Sequence, residues 1–561
     1  MSSSQPAPGP SSPSSPSPAA TGYIINDRYL NAKTSQPLTL KYIGPLPPGA
    51  ASATIWLGVE YDDPANGKGH DGVYKGEQVF RTRQAGAGAF IKYAPGALVP
   101  GTTLVDAVEE RYGRLVPGSE EPEASTKPGS DDVVLGSSNA AIIVEAPNLD
   151  GVRKRIGQLE RRKEIGFEGE WVGRLGGSVE ERQVFKERLQ GVRTLDLSRN
   201  LVPTWAVMAD IVAHLTGLRS LILNHSRTLC APDLDDAQRA PLRDVFKGIT
   251  ELHLGNAALT WAEALDIGSV FPNLETLFLN DNARIVSLAK RPGQDLASCL
   301  PNLKTLSLDS CPLDDWEAMG AELVQLPKLE AVNLSSIPIE AIAAPGTSPF
   351  THLTRLVLSD SRLTAWRDID ALNQWTSGKL EQLRISFVER EAVAVADPTL
   401  ISGDARADRS FLIAKLPSLS TLNGSQITYF ERTDAELYYL HSVARIDGFM
   451  PSDWGRYDEL LRLHGQAEKQ APAKPTNLKS KMMNIHVIPP SGETLTMRLL
   501  RTAAVSVLKK RVARQMHLEA VAIFTARPAA FEGMWEPVEE MDEGVELGLW
   551  LSDGDTVLAV V

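Results

Sequence analysis

The most regular feature of the chain is a ladder of paired aliphatic residues in its middle third. Two apolar residues separated by one other position recur eight times, at steps of 24 to 31 residues. Because alternate residues of a strand lie on one face, each pair predicts a short strand with one buried side. The recurring step predicts a solenoid of stacked parallel strands. The pairs are Leu195/Leu197, Leu221/Leu223, Leu252/Leu254, Leu277/Leu279, Leu306/Leu308, Val332/Leu334, Leu356/Leu358 and Leu383/Ile385.

Two repeats contain the longer pattern L-x-x-L-x-L-x-x-N/C, which is typical of leucine-rich repeats. One repeat ends the pattern with Asn282 and the next with Cys311, while Asn200 occupies the same position in the first repeat. An Asn or Cys at this bend can hydrogen-bond backbone groups that the strand leaves unpaired. We therefore predict that Cys311 is a buried thiol of the ladder rather than a reactive group. Residues between the ladder leucines, such as Asp196, His253, Ser307 and Asn333, are expected to be exposed on the concave face.

The repeat domain is predicted to span residues 149–465. It should begin with an amphipathic helix over 149–165. It should end with a cap, because the last repeat would otherwise expose its leucine core to water. The repeat motif stops at Asn423-Gly424-Ser425, and a helix is predicted to follow with its start near Thr433 or Asp434.

The sequence on either side of the repeats predicts further modules. Residues 22–114 contain short apolar runs broken by Gly and Pro, which favours a small β-barrel. Residues 481–561 show two strands, an amphipathic helix and later strands, which favours a β-grasp, or ubiquitin-like, domain. Segments 1–21, 115–148 and 466–480 are predicted to be a disordered Ser/Pro-rich tail, an acidic flexible linker and a second linker. The predicted fold class is therefore multidomain α+β, with a barrel, an α/β solenoid and a β-grasp domain in that order.

Composition and charge limit the classes of partner that this protein is expected to bind. The 561 residues include 57 basic and 70 acidic side chains, giving a net charge of −13. This charge argues against nucleic acid as a partner, and the lack of any stretch of 18 apolar residues argues against a membrane. Three cysteines are too few for a disulfide framework, so a reducing, cytoplasmic compartment is expected.

Catalytic motifs are missing from the sequence. Residues 67–72 (GKGHDG) match G-x-G-x-x-G, but a dinucleotide site requires a helix to open at this loop, and the following VYKGEQVF favours a strand. The chain contains neither G-x-x-x-x-G-K-[ST] nor H-E-x-x-H. We therefore predict no catalytic residues, no cofactor, no metal and no enzymatic activity.

The same loop and its neighbours resemble a CAP-Gly domain over residues 22–100. The matching segments are 41–45 (KYIGP), 56–62 (WLGVEYD), 67–72 (GKGHDG), 79–80 (VF) and 88–92 (GAFIK). The family's loop is usually GKNDG, whereas this loop is one residue longer and has His70 in place of Asn. The resemblance implies a small barrel that grips an acidic C-terminal tail ending in an aromatic residue, such as that of α-tubulin. The implied tail-binding residues are Trp56, Gly67, Lys68, His70, Asp71, Gly72, Phe80, Phe90 and Lys92.

Local charge agrees with an acidic ligand. Between positions 68 and 92 the chain has five basic residues (Lys68, Lys75, Arg81, Arg83, Lys92) and two acidic ones (Asp71, Glu77). Simpler roles remain open: the glycines serve tight turns, Phe80 and Phe90 fill the barrel core, and Lys68 is merely solvated.

The order of barrel, leucine-rich repeats and ubiquitin-like domain resembles the tubulin-folding cofactor E family. This resemblance implies a cytoplasmic, cytoskeleton-associated chaperone without catalytic activity. Its barrel would bind the α-tubulin tail, its repeats the tubulin body, and its last domain another cofactor. With cofactors C and D it would assemble the α/β-tubulin dimer, and with cofactor B it would dissociate the dimer.

Two rival hypotheses come from other classes of protein. A microtubule-binding linker would use the barrel to reach polymer, but it is expected to contain long coiled-coil heptads, which the sequence lacks. A ubiquitin-pathway adaptor would select a client through its repeats and engage the proteasome through its last domain.

Overall fold

The computed structural model describes residues 22–47, 54–116, 132–135, 142–145, 159–228, 236–346, 348–387, 398–446, 449–465, 482–489, 493–516, 521–528, 535–552 and 554–560. The predicted tail over 1–21 and linker over 466–480 lie outside the described residues, as does Cys230. The chain forms two compact units, Met1–Gly465 and Gln466–Val561. We describe each unit by itself.

The first unit begins with a small antiparallel barrel. Its main sheet has the strand order β6-β3-β2-β1-β7, and β4 and β5 form a separate hairpin beside it. Leu38, Leu40, Leu57 and Val59 alternate along the two central strands and are fully buried. The strands are β1 (Arg28–Asn31), β2 (Pro37–Gly44), β3 (Trp56–Tyr61), β4 (Val73–Tyr74), β5 (Glu77–Gln78), β6 (Gly88–Lys92) and β7 (Leu98–Pro100).

The segment that leaves the barrel packs into the repeat domain. Strand β8 (Thr102–Thr103) pairs in parallel with Val172–Arg174, which is β12 of the first repeats. Helix α1 (Leu104–Tyr112) follows, with Thr103 as its N-cap, and its apolar side joins the core of the repeats. The predicted barrel domain, 22–114, thus includes a helix whose buried face belongs to the neighbouring core. Such a helix cannot be assigned from its own sequence, because its amphipathic pattern does not name the surface it covers.

The segment between the two domains contains short elements. An antiparallel hairpin forms between β9 (Asp132–Leu135) and β10 (Ile142–Glu145), inside the segment predicted to be a linker. Residues 149–158 of the predicted opening helix lie outside the described residues. The end of that prediction is not helical: Leu159–Arg161 is a 3-10 turn and Ile165 lies in a strand. Ile165 pairs with Leu195, so tertiary contacts place it as the first rung of the ladder.

The repeats form a parallel sheet that confirms the predicted ladder. In its register Leu195, Leu221, Leu252, Leu277, Leu306, Val332, Leu356 and Leu383 lie side by side. The cap closes the sheet with an antiparallel pair. The strands are β11 (Glu164–Gly166), β13 (Thr194–Asp196), β14 (Ser220–Ile222), β15 (Glu251–His253), β16 (Thr276–Phe278), β17 (Thr305–Ser307), β18 (Ala331–Asn333), β19 (Arg355–Ser361), β20 (Gln382–Phe387), β21 (Thr421–Leu422) and β22 (Ser425–Gln426).

Helices on the other side of the sheet cover the leucine core. Most begin at a side-chain cap, as at Thr204, Thr260 and Asp315, because the first turn of a helix leaves N–H groups unpaired. The helices are α2 (Val179–Arg188), α3 (Trp205–Ala213), α4 (Asp236–Phe246), α5 (Trp261–Gly268), α6 (Leu296–Cys299), α7 (Trp316–Leu323), α8 (Trp366–Trp375) and α9 (Ala405–Lys415).

The Asn/Cys position of the repeats has the predicted structural role. Asn282 Oδ1 accepts hydrogen bonds from the Ala257 and Leu259 N–H groups, and its Nδ2 donates to Leu254 and Leu279. Cys311 is 1% exposed, and its thiol lies 3.3 Å from the Leu279 carbonyl oxygen. Burial raises the pKa of this thiol to about 11. The prediction of a buried, unreactive Cys311 is confirmed.

The C-terminal cap consists of α10 (Tyr429–Val443) and α11 (Tyr457–His464). The helix predicted over 430–446 is confirmed, and its start lies a few residues before Thr433 and Asp434. The helix begins at Tyr429, because the Thr428 hydroxyl accepts from the Glu431 N–H at 3.1 Å. The predicted stop of the ladder at Asn423 is confirmed, since its backbone has a positive φ of 51° just before the final strand.

The second unit has the strand order of the predicted β-grasp. Its sheet runs β24-β23-β27-β25-β26, with β23 and β27 parallel and the other pairs antiparallel. Helix α12 buries Val505, Leu508 and Val512 against this sheet. The mixed α+β fold class is confirmed. The elements are β23 (Met482–Ile488), β24 (Leu495–Leu500), α12 (Val505–Met516), β25 (Ala522–Pro528), β26 (Trp535–Glu540), α13 (Leu547–Trp550) and β27 (Thr556–Val560).

Candidate functional site

The glycine loop of the barrel starts from a capped turn. Asp63 accepts the Ala65 N–H and thereby opens a 3-10 turn over Pro64–Asn66. Gly67 follows at a close approach of two chains, because a Cβ there would lie 2.0 Å from the Gly86 carbonyl oxygen. The loop is fastened to β6 through the Lys68 N–H, which donates to Gly88 at 2.9 Å. These backbone contacts leave the Lys68 side chain exposed.

The end of the loop also requires glycine. Gly72 has a φ of +86°, and a Cβ there would lie 2.2 Å from the Phe80 carbonyl oxygen. Asp71 uses its carboxylate inside the loop, where it accepts from the Gly86 N–H at 2.6 Å and from the Thr82 hydroxyl at 3.2 Å. Asp71 therefore shapes the loop, and its charge is already engaged by neighbouring donors.

An aromatic cluster lies directly beside this loop. Phe90 is its centre: the His70 ring stacks on it at 5.1 Å, and the rings of Tyr74 and Phe80 meet it edge-on at 5.8 and 5.3 Å. Phe80 is 7% exposed and Phe90 is half-buried. His70 stacks on Phe90, and its Nδ1 accepts the Gly72 N–H at 3.0 Å.

Tyr74 was not among the tail-binding residues predicted from the sequence. The signal for Tyr74 in the sequence was the alternation of residues in VYKGEQVF. Successive side chains of a strand point to opposite sides, so one of the two side chains of β4 points toward the neighbouring sheet. Tyr74 also contacts a cation, because the Lys75 ammonium lies 5.5 Å from its ring centre.

Trp56 and Lys92 extend the same surface. They face each other across β3 and β6, two positions along from the pair Gly58 and Phe90. Side chains two apart on a strand share a face, so Trp56 and Lys92 lie on the face that carries Phe90. Phe80 covers this face at Gly58, where a Cβ would lie 2.6 Å from its ring. We call the surface formed by Trp56, the 67–72 loop, Tyr74, Phe80, Phe90 and Lys92 the groove.

The exposed cations around the groove are fewer than the sequence count. Lys68, Arg81 and Lys92 are exposed and have no ion-pair partner among the residues that the structure describes. The sequence count also included Arg83, but its guanidinium is not one of the exposed cations. The Arg83 guanidinium lies 3.9 Å from Glu263 of α5, and burial lowers its pKa.

This arrangement suits a peptide with carboxylates and an apolar end. The half-buried rings offer an apolar floor, and the unpaired lysines beside them can form charge-assisted hydrogen bonds to carboxylates. Within the described residues, no group of three or more His, Cys, Asp or Glu side chains could hold a metal ion. No described helix is long and apolar enough to cross a membrane.

Comparison with known proteins agrees with this geometry. A model of the CAP-Gly domain family matches residues 25–95, which include the whole groove. Tubulin-specific chaperone E of Bos taurus is 31% identical over 407 residues, which cover 72% of this chain and 69% of the relative. The chain belongs to the tubulin-specific chaperone E family. Tubulin-folding cofactor E of Arabidopsis thaliana is 26% identical over 565 residues, which cover 96% of this chain and 97% of the relative.

The concave face of this tubulin-specific chaperone E family member is less uniform than predicted. Asp196, His253 and Asn333 are partly exposed, but Ser307 is 1% exposed. The prediction for Ser307 is wrong because Asn333 of the next strand donates to its hydroxyl at 3.0 Å. His253 stacks on Phe278 at 4.2 Å.

Proposed function

We propose that this protein is a tubulin-folding chaperone whose groove binds the acidic C-terminal tail of α-tubulin. The observation that carries the proposal is the aromatic groove around Phe90, with the unpaired cations Lys68 and Lys92 at its margin. An aromatic tail residue would pack on the half-buried rings, while the preceding carboxylates would meet the two lysines.

The repeats would hold the body of the same tubulin subunit through their concave face. Two linked sites raise the effective concentration of the second contact, so neither has to be tight by itself. The ubiquitin-like domain would dock another cofactor. With cofactors B, C and D the protein would act in assembly and dissociation of the α/β-tubulin heterodimer. It would work without catalysis, in the cytoplasm and in association with the cytoskeleton.

The test is a titration with soluble tubulin and with tubulin stripped of its C-terminal tail residues, measuring both binding and dimer dissociation. Lys68→Glu and tail removal should each weaken binding by about 1–3 kcal/mol, because each removes a charge-assisted contact. Lys33→Glu is the matched control, since Lys33 is an exposed barrel lysine in the turn between β1 and β2.

Equal binding of intact and stripped tubulin would contradict the assignment of the groove. Failure to bind soluble tubulin under any condition would contradict the proposed function as a whole. In that case the adaptor hypothesis predicts proteasome binding that survives deletion of residues 22–100. The linker hypothesis predicts binding to microtubules but not to soluble tubulin.

A further inference from the structure

The barrel and the repeats meet through a cluster of arginines that neither the proposed tail binding nor the repeat ladder requires. Arg28 of β1 is 1% exposed at its side chain, and both of its terminal nitrogens donate to Asp62, the second at 2.6 Å. Its Nη2 also lies 3.5 Å from the carbonyl oxygen of Asn200, in the first repeat. A barrel residue is thus fully buried at the edge of the repeat domain.

Contacts from the second repeat meet the same residues. Arg227 donates to the Asp62 carbonyl oxygen at 3.2 Å and to the Asn256 carbonyl oxygen of the third repeat. Burial lowers the pKa of Arg227, with nearby Asp62 acting in the opposite direction. Arg227 therefore joins the barrel to two successive repeats.

The third arginine of the cluster, Arg83, pairs with Glu263. The Glu263 carboxylate lies 3.9 Å from Arg83 of the barrel and 3.0 Å from Arg284 of the following repeat. Burial alone would raise the pKa of Glu263, but Arg83, the hydrogen bonds of Thr260 and Arg284 together bring it below its usual 4.5. Arg83 is also held from the barrel side, because its N–H donates to Glu60.

The junction formed by Arg28, Asp62, Arg83, Arg227 and Glu263 is largely shielded from solvent, with side-chain exposures of 1% for Arg28, 15% for Asp62 and Arg83, and 22% for Glu263. The cavity between the barrel strands and Arg227 measures about 10 Å³, which is room for a single water at most. Ionic contacts in such a place are little screened by salt. The barrel also contacts the repeat domain through its backbone. Gly101 lies close to Trp171, and the Thr102 N–H donates to the Trp171 carbonyl oxygen at 3.0 Å.

These contacts come from the segments that follow the repeat strands, two of them loops and the third the first turn of α5. Asn200 follows β13, Arg227 follows β14, and Glu263 lies beyond β15. The barrel therefore sits on the edge of the first three repeats, beside the concave face of the same strands. Breaking the ionic contacts would still leave the barrel attached through β8, so the barrel could then swing about Gly101.

We propose that Arg28, Arg83 and Arg227 are positioning residues, which hold the groove at one distance and orientation from the concave repeat face. The inference rests on the proposed function, because it concerns a folded partner that carries an acidic tail. A fixed geometry lets that partner meet both surfaces without the entropy loss of ordering two mobile domains. The tail site and the body site then act as one composite surface.

The test breaks the junction without touching the groove. In the junction variant, Glu263→Gln and Arg227→Gln are combined. Gln at 263 keeps the capping box with Thr260, and Gln at 227 can still donate a hydrogen bond. The matched control combines Glu181→Gln, which sits in the capping box of α2, with Arg219→Gln, which bonds only repeat carbonyls.

The first measurement is the distance between spin labels at Lys33→Cys and Ala318→Cys in the full-length protein. These exposed positions lie on the barrel and on α7. The starting protein has Cys230→Ser and Cys299→Ser, and the buried Cys311 should not label. We expect one narrow distance in the starting protein and the control, and a broad distribution in the junction variant. A narrow distance in the junction variant would overturn the positioning role.

The second measurement is affinity. The junction variant should lose about tenfold in affinity for intact tubulin, while its affinity for a free acidic peptide ending in an aromatic residue stays unchanged. A broadened distance with unchanged tubulin affinity would overturn the inference that positioning matters for binding. If the starting protein binds neither ligand, the proposed function fails, whereas the distance measurement still decides the role of the junction.

Discussion

The groove of the barrel and the cap of the repeat domain both place lysines next to aromatic rings, with opposite consequences. Beside the groove, Lys75 lies 5.5 Å from the Tyr74 ring and is exposed. At the cap, Lys415 of α9 lies 5.3 Å from Tyr439 and 5.4 Å from Trp454, and its side chain is 0% exposed. The lysine–aromatic contact is therefore accessible to a ligand at Lys75, whereas at Lys415 it is enclosed within the protein.

The two regions differ because Lys415 is paired with a carboxylate. Lys415 donates to both oxygens of Asp370 at 2.8 Å, so its charge is compensated where water cannot reach it. Burial lowers the pKa of Lys415, and Asp370 acts in the opposite direction. Lys68 and Lys92 have no such partner among the described residues, and both side chains are exposed at the surface. Unpaired cations beside half-buried rings mark a binding surface, whereas paired ones mark a core.

The largest effect is expected from breaking the buried pair. Lys415→Ala leaves the largely buried Asp370 carboxylate without a cation and should cost about 3–5 kcal/mol in free energy of unfolding. Urea unfolding followed by tryptophan fluorescence measures it, since Trp454 and Trp375 lie in this unit. The double variant Lys415→Met and Asp370→Leu should recover most of the loss, because it removes both charges. A loss below about 1 kcal/mol for the single variant would contradict the role of the pair.

A smaller effect separates two of the three glycines of the loop, Gly72 and Gly69. Gly72→Ala should destabilise the barrel by about 2–4 kcal/mol, because it adds overlap with Phe80 to a positive φ. Gly69→Ala should cost only about 1 kcal/mol, since φ is +71° but no atom lies within 4 Å of the added Cβ. Hydrogen exchange of the Val79 amide, which donates to Gly72, reports the local opening. Equal losses at both positions would show that packing against Phe80 does not matter.

Phe90 should affect binding more than folding. Phe90→Ala removes the ring that His70, Tyr74 and Phe80 contact, and we expect about 2 kcal/mol weaker binding of an acidic, aromatic-ended peptide. Val59→Ala, a buried barrel position, is the control for general destabilisation. The groove assignment would be wrong if Phe90→Ala left peptide affinity unchanged while the barrel stayed folded by circular dichroism.

The smallest effect is expected at Lys75. Lys75→Met should change the free energy of unfolding by less than about 0.5 kcal/mol, because an exposed cation–π contact contributes little. This result sharpens the contrast with Lys415, since both lysines contact aromatic rings. A loss as large as that of Lys415→Ala would contradict the view that burial and the carboxylate set the energy. Thermal unfolding of the two variants side by side provides the comparison.

The ladder could be predicted because its spacing is repeated many times. Each repeat aligns one leucine with the next, so errors at a single position do not shift the register. The groove is formed by residues from separate segments, and their proximity cannot be read from spacing along the chain. Phe80 and Phe90 were predicted from the sequence, whereas Tyr74 was not. Arg83 was included in the count of local positive charge, because counting charges along the chain cannot show that its side chain turns toward Glu263. Ser307 was misplaced for a similar reason, since its partner Asn333 lies one repeat away.

The most direct test of the account is a calorimetric titration of the full-length protein with two acidic peptides that differ only in a C-terminal aromatic residue. We predict saturable binding of one peptide per chain, at least tenfold tighter with the aromatic residue and weakened by Lys68→Glu. Equal affinity for the two peptides, unaffected by Lys68→Glu, would contradict the claim that the rings and unpaired lysines form one tail-binding site.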